Sequence, residues 1–84
     1  MKAITYSKDA LRVLRRMPAN VAAKIRLKIE RYAGDPGSLA NNVIALQGRH
    51  GFFRLRVGDW RVIFAEDGSV IAIVRIAPRG GAYD

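Results

Sequence analysis

Apolar and polar positions change their spacing several times along the chain, and each change marks an element. Lys2 to Tyr6 alternates and carries Ile4, Thr5 and Tyr6, which predicts a short strand. Ser7 then suits a helix N-cap, with Asp9 in the first turn, where the helix dipole favours negative charge. From Lys8 to Met17 the residues Ala10, Leu11, Val13, Leu14 and Met17 form a helical stripe, with Arg12, Arg15 and Arg16 largely off it. Pro18 stops that helix. Asn20 offers a cap for a second helix, running to about Ala33 and burying Val21, Ala22, Ile25, Ile29 and Tyr32. Its more exposed side carries Lys24, Lys28 and Arg31 at helical spacing. Gly34 closes this helix at C′, and Asp35-Pro36-Gly37 forbids its continuation. The expectation is a helical hairpin around a tight turn.

Ser38 to Gly51 is less regular. Leu39, Val43, Ile44 and Leu46 predict that it packs back on the core, with room for a helical turn. Gln47-Gly48-Arg49-His50-Gly51 reads as a loop. Beyond it, two runs rich in β-branched and aromatic residues flank Gly58-Asp59, a dipeptide suited to a two-residue hairpin loop with positive φ angles. That loop length places Val57 opposite Trp60, Arg56 opposite Arg61, Leu55 opposite Val62, and Phe53 opposite Phe64. Phe53, Leu55, Val57, Trp60, Val62 and Phe64 then share one face, which is a core. The other face carries Arg54, Arg56 and Arg61. After a turn at Glu66-Asp67-Gly68-Ser69, Val70 to Ile76 is apolar on both faces, as an internal strand is. A two-residue Asp67-Gly68 loop would put Arg75 on the Trp60 side, and a three-residue loop would put it beside Arg61; both stay open. Pro78 ends the strand, and Arg79 to Asp84 is a short tail. The fold class is α+β in a single domain, residues 1–84: an N-terminal strand, a helical hairpin and a three-stranded antiparallel meander forming one sheet.

Composition sharpens this picture. The chain has 84 residues, half of them hydrophobic, enough for one globular core. It has no cysteine, so disulfides and cysteine metal sites are unavailable, and a reducing cytoplasmic setting is expected. No apolar run approaches the roughly 20 residues of a membrane helix, and Met1 to Tyr6 is too short to be a signal peptide. Fifteen Lys and Arg against seven Asp and Glu leave a net charge of +8, which points to a polyanionic partner. Beyond Lys28, each of these basic residues is an arginine, whose planar fork suits bidentate phosphate contacts.

The arginine placement carries more information than the total. Like charges opposed across a strand pair are destabilising, and nothing acidic sits between Arg56 and Arg61 in the local register. An external anion would resolve the conflict, which makes Arg54, Arg56 and Arg61 an anion-binding surface. Arg79, just past a strand end, and Tyr83, four residues on, are placed to close one end of it. His50 is the only histidine and has no partner at metal-ligand spacing, so no metal or other cofactor is expected.

Phe53-Arg54-Leu55-Arg56-Val57-Gly58-Asp59-Trp60-Arg61-Val62-Ile63-Phe64 resembles the signature of the RelE/ParE superfamily of bacterial toxins from type II toxin–antitoxin modules. Asp35-Pro36, Leu39-Ala40-Asn41-Asn42 and Leu46-Gln47-Gly48 are similar to the superfamily's approach to that hairpin, and Val74 to Arg79 through Tyr83 to its close. The resemblance implies a fold like that of microbial ribonucleases and, for the RelE-like branch, metal-independent cleavage of mRNA in the ribosomal A site. It places the family's RNA-binding strand bases on Arg54 and Arg56, and its catalytic residues on Arg61, Arg79 and Tyr83. A strand lysine found in some members falls on Phe52, and Gly80-Gly81 stands where charged tail residues are common. The sequence stops one residue past Tyr83, so a long C-terminal helix is not expected. The resemblance also implies a cognate antitoxin covering the helical hairpin, with operator DNA bound through the antitoxin complex.

Attack of a 2′-hydroxyl on the adjacent phosphate requires deprotonation of that hydroxyl, stabilisation of the phosphorane charge and protonation of the leaving oxygen. Arginines do not trade protons near neutral pH, so they serve as electrostatic clamps. Tyr83 is the proton-transfer candidate. Two other readings stand beside this one: a ParE-like toxin that inhibits DNA gyrase by protein contact, and a nucleic-acid-binding module without chemistry.

Overall fold

A computed structural model describes residues 1–80. Strand β1 (Ala3–Tyr6) leads into helices α1 (Lys8–Arg16) and α2 (Ala19–Gly34), followed by a 3-10 helix (Pro36–Asn42). Strands β2 (Val43–Ala45), β3 (Phe52–Val57), β4 (Trp60–Glu66) and β5 (Val70–Pro78) complete one sheet in the order β1-β5-β4-β3-β2. β1 runs parallel to β5, and the remaining neighbours are antiparallel. The α+β class is therefore as the sequence predicts, but the meander has four strands. Val43-Ile44-Ala45 is too short to announce itself by periodicity, and pairing with the β3 edge makes it a strand.

Ser7 caps α1 as expected, its Oγ accepting from the Ala10 N–H. Asn20 does not cap α2. Met17 and Pro18 already span the helical turn in extended conformation, and the Pro18 carbonyl accepts from Val21 and Ala22, leaving Asn20 inside the first turn. Nor does Gly34 take a left-handed C′ position; it is the last residue of α2. A residue preceding proline is driven out of helical geometry, so the chain leaves the helix at Asp35 (φ −151°, ψ 75°), directly before Pro36.

The β3–β4 ladder has the expected register, with Val57, Arg56, Leu55 and Phe53 opposite Trp60, Arg61, Val62 and Phe64. Its turn carries positive φ only at Gly58 (58°), the pattern of a type II′ rather than a type I′ turn. The β4–β5 ladder is less regular. Glu66 pairs with Ile71 and Phe64 with Ile73, but a bulge follows and Ile63 pairs with Arg75. The bulge leaves Val74 as the extra residue and reverses the parity of everything after it. Ser7 pins this point: its N–H donates to the Ile73 carbonyl at 2.8 Å and its Oγ to the Val74 carbonyl at 2.9 Å.

Both helices cover the inner sheet face. Leu55, Val57, Val62, Phe64, Ile71, Ile73 and Ile76 pack there with Ala10, Leu14, Ile25, Ile29, Tyr32 and Leu39. Full burial of each large side chain is worth about 1.5–3 kcal/mol. Tyr32 and Phe53 each lie against Phe64, with ring centroids 5.2 and 5.6 Å away. At the edge of this core the Tyr32 hydroxyl donates to Glu66 Oε1 at 2.6 Å, and Lys2 pairs with Oε2 of the same carboxylate. Burial pushes the Glu66 carboxyl up, but the hydrogen bonds from Lys2 and Tyr32 prevail and hold it below its ordinary value.

Candidate nucleic-acid interface

The outer sheet face is built by register alone. One row across the strands reads Ile44, Arg54, Ile63, Arg75; the next reads Arg56, Arg61, Ala77; a third, toward the other end, reads Phe52, Ala65, Ala72, Thr5. Four arginines thus share one face of a three-strand segment. Arg56 and Arg75 are exposed and Arg54 is half-buried. Arg61 is only 8% exposed, and its row neighbour Ala77 and near neighbour Ile63 are buried too.

The opposed pair Arg56 and Arg61 is partly resolved inside the protein. Arg61 Nη1 turns back onto the hairpin, donating to the Gly58 carbonyl at 3.3 Å and the Trp60 carbonyl at 3.2 Å. The expectation of an external anion therefore applies with most force to Arg56, the exposed member of the pair. Arg79 stands at the same end: its N–H donates to the Asp59 carbonyl at 2.7 Å, fixing the start of the tail against the β3–β4 turn. The structure thus brings Arg54, Arg56, Arg61 and Arg75 to one face, and it sets the Arg79 backbone at the hairpin end of the sheet. Tyr83 lies outside the described residues.

Arg75 is the residue that loop counting left open. The bulge places it on the arginine face, opposite Ile63 and across it from Arg54. A signal was present in the spacing: Ile71 and Ile73 are two apart, but the next core residue, Ile76, is three further on. Uninterrupted alternation would have sent Arg75 into the core.

The remaining candidates have ordinary roles. Asp67 organises its turn, Oδ1 accepting from the Ser69 and Val70 N–H groups, and these bonds hold its carboxyl below the usual range. His50 is an exposed turn residue. Trp60 faces inward and lines a groove of about 310 Å³ with Val13, Arg16, Met17 and Pro18 beneath the helical turn. Among the described residues, no group of three or more His, Asp or Glu side chains is arranged to hold a metal. No described helix is long and apolar enough to cross a membrane.

Comparison with known proteins places this geometry. The chain is similar to Toxin RelE3 of Methanocaldococcus jannaschii, 25% identical over 83 residues that cover 96% of this chain and 94% of that protein. Its fold matches a chain of the archaeal RelE–RelB complex of Pyrococcus horikoshii OT3 with a TM-score of 0.79 and 26% identity, covering 96% of this chain and 98% of that one. A chain of the intact E. coli RelBE toxin–antitoxin complex shares the fold at a TM-score of 0.75 and 15% identity, covering 93% and 96%. Residues 4–83 match the family described as the ParE toxin of type II toxin–antitoxin system, parDE. With that match spanning nearly the whole sequence, the chain belongs to the ParE toxin family of type II toxin–antitoxin systems.

Proposed function

We propose that this toxin is an endoribonuclease that cuts mRNA positioned by the ribosome, without a metal cofactor. The observation that supports it is the single arginine face: Arg54 and Arg56 on β3 and Arg75 on β5 share it on either side of β4, and Arg79 begins the tail at the hairpin end. Such a face binds a phosphate backbone. Arg54 and Arg56 hold the RNA. Arg61 and Arg79 stabilise the negative charge of the phosphorane, with Arg61 oriented by its bonds to the hairpin carbonyls. In the reaction the 2′-oxygen forms a bond to the adjacent phosphorus as the bond to the 5′-oxygen breaks. Tyr83 serves in proton transfer between the 2′-hydroxyl and the departing 5′-oxygen, leaving a 2′,3′-cyclic phosphate and a 5′-hydroxyl. Ribosomal positioning of the RNA supplies orientation that a shallow face does not.

The relatives that are solved as complexes pair a RelE with a RelB. By the same pairing, this toxin has a cognate antitoxin, whose complex binds operator DNA, and it acts in the cytoplasm. Expression of the wild type beside Arg56→Ala, Arg79→Ala and Tyr83→Phe, with mapping of mRNA 5′ ends, tests the reaction. Codon-phased cuts bearing 5′-hydroxyls, reduced in all three variants, are expected. The family match to ParE toxins sustains a second reading, inhibition of DNA gyrase by protein contact. Growth arrest without RNA cuts, with gyrase-linked DNA damage and indifference to the arginine variants, would establish it instead.

A further inference from the structure

Phe52 occupies an unusual place for a large aromatic residue. By register it belongs to the arginine face, two residues from Arg54 and four from Arg56 along β3. It is half-buried, yet it is absent from the side chains packed against the core, whereas its neighbour Phe53 is among them. Its row partners are Ala65 directly opposite and Ala72 beyond, both half-buried, so among the described residues the row beside the ring is made of small side chains. Arg49 reaches over it from the preceding turn, with its guanidinium carbon 4.7 Å from the ring centroid. That turn is short, closed by bonds from the Arg49 N–H to the Leu46 carbonyl and from the Phe52 N–H to the Arg49 carbonyl.

An aromatic ring and a guanidinium plane are the two protein surfaces on which unstacked nucleobases settle. Here both stand together at one end of a phosphate-binding face. We infer that Phe52 and Arg49 form a nucleobase-stacking subsite, adjoining the phosphate-binding arginines Arg54 and Arg56. The base lies on the Phe52 ring, and Arg49, a long side chain on a turn, moves off the ring to cover the base from its other side. The strand thereby holds one nucleotide by its base at Phe52 and the neighbouring backbone by its charges. The inference rests on the RNA reading above, and its test separates the two.

The probe is a single-stranded octanucleotide, 2′-O-methylated so that it is not cut, together with versions carrying one abasic nucleotide at successive positions. Phe52→Ala is expected to weaken binding on the order of 5- to 150-fold, the usual worth of one stacked base. Phe52→Trp is expected to retain binding, and Phe52→Leu, which keeps the apolar bulk, to lose it as Phe52→Ala does. At one abasic position the wild type should lose the same factor, and there Phe52→Ala should add nothing. If Phe52→Leu binds like the wild type, or if the abasic and Phe52→Ala losses multiply at every position, the subsite is wrong. Should that occur while Arg56→Ala still weakens binding, the RNA reading stands without it. A wild-type protein with no salt-dependent affinity for the octanucleotide would overturn the subsite, and the RNA reading would then stand or fall on the mapped mRNA cuts.

Discussion

Arg56 and Arg61 face one another across the β3–β4 ladder, yet only Arg56 is offered to solvent. Arg61 is buried, with its guanidinium on the carbonyls of Gly58 and Trp60. The two should therefore separate stability from binding. Arg61→Ala is expected to lower unfolding stability by about 1.5–3 kcal/mol, the range for hydrogen bonds to a charged group. Arg56→Ala should stay within about 0.5 kcal/mol, while reducing the salt dependence of RNA binding by about one charge. Denaturant melts and salt titrations of the two variants check this, and equal stability losses would contradict the assignment.

Ser7 performs two tasks with one hydroxyl. It caps α1 at the Ala10 N–H and donates to the Val74 carbonyl at the β5 bulge. Ser7→Ala should cost about 1–2 kcal/mol, toward the upper end for the loss of a helix cap. Ser7→Gly should be the milder of the two, because glycine is tolerated at an N-cap, but it still loses the bond to Val74. Thermal melts of the two variants provide the comparison.

The Lys2–Glu66–Tyr32 cluster predicts a pH signature at both extremes. The Glu66 carboxyl is held below its ordinary value, so its contribution is present above the unfolded carboxylate range and disappears as pH falls through the lower folded value. The Tyr32 phenol is raised, first by burial and then by its bond to Glu66. Its contribution is present below about pH 10, the unfolded value, and is lost as pH climbs through the folded one. Tyr32→Phe should cost about 1 kcal/mol at neutral pH and flatten the alkaline limb. Glu66→Gln should differ from the wild type most at neutral pH and least in strong acid. Stability profiles measured across pH would expose any departure.

The β3–β4 turn depends on one backbone angle. Gly58 has φ of 58°, and a Cβ built there would touch nothing within 4 Å, so the penalty for substitution is conformational. Gly58→Ala should destabilise by about 1 kcal/mol, whereas Gly37→Ala, at ordinary φ, should not. A Gly58→Ala protein as stable as the wild type would show that the hairpin does not need that turn.

Much of this architecture is legible in one dimension because local chemistry dictates it. Two residues between alternating runs leave a single register for the β3–β4 hairpin, and that register alone places Arg54, Arg56 and Arg61 opposite the core face. Ser7 capped the first helix because a side-chain oxygen one residue before an apolar stripe has few other uses. Caps that depended on the neighbouring element were not legible: Asn20 yielded to Pro18, and Gly34 to the demand of Pro36 on Asp35.

The sequence by itself determined the α+β class, the hairpin register, the core face and the concentration of arginine on its reverse. The tertiary structure decided what those arginines join. The bulge at Val74 belongs to pairing between β4 and β5, held from outside the sheet by Ser7, and with Glu66 opposite Ile71 it turns Arg75 onto the outer face. Pairing of β2 with β3 carries Ile44 alongside Arg54, and the Arg79 N–H is tied to the hairpin turn by the Asp59 carbonyl. Each of these is a hydrogen bond between segments distant in sequence, where local spacing carries no information about the partner.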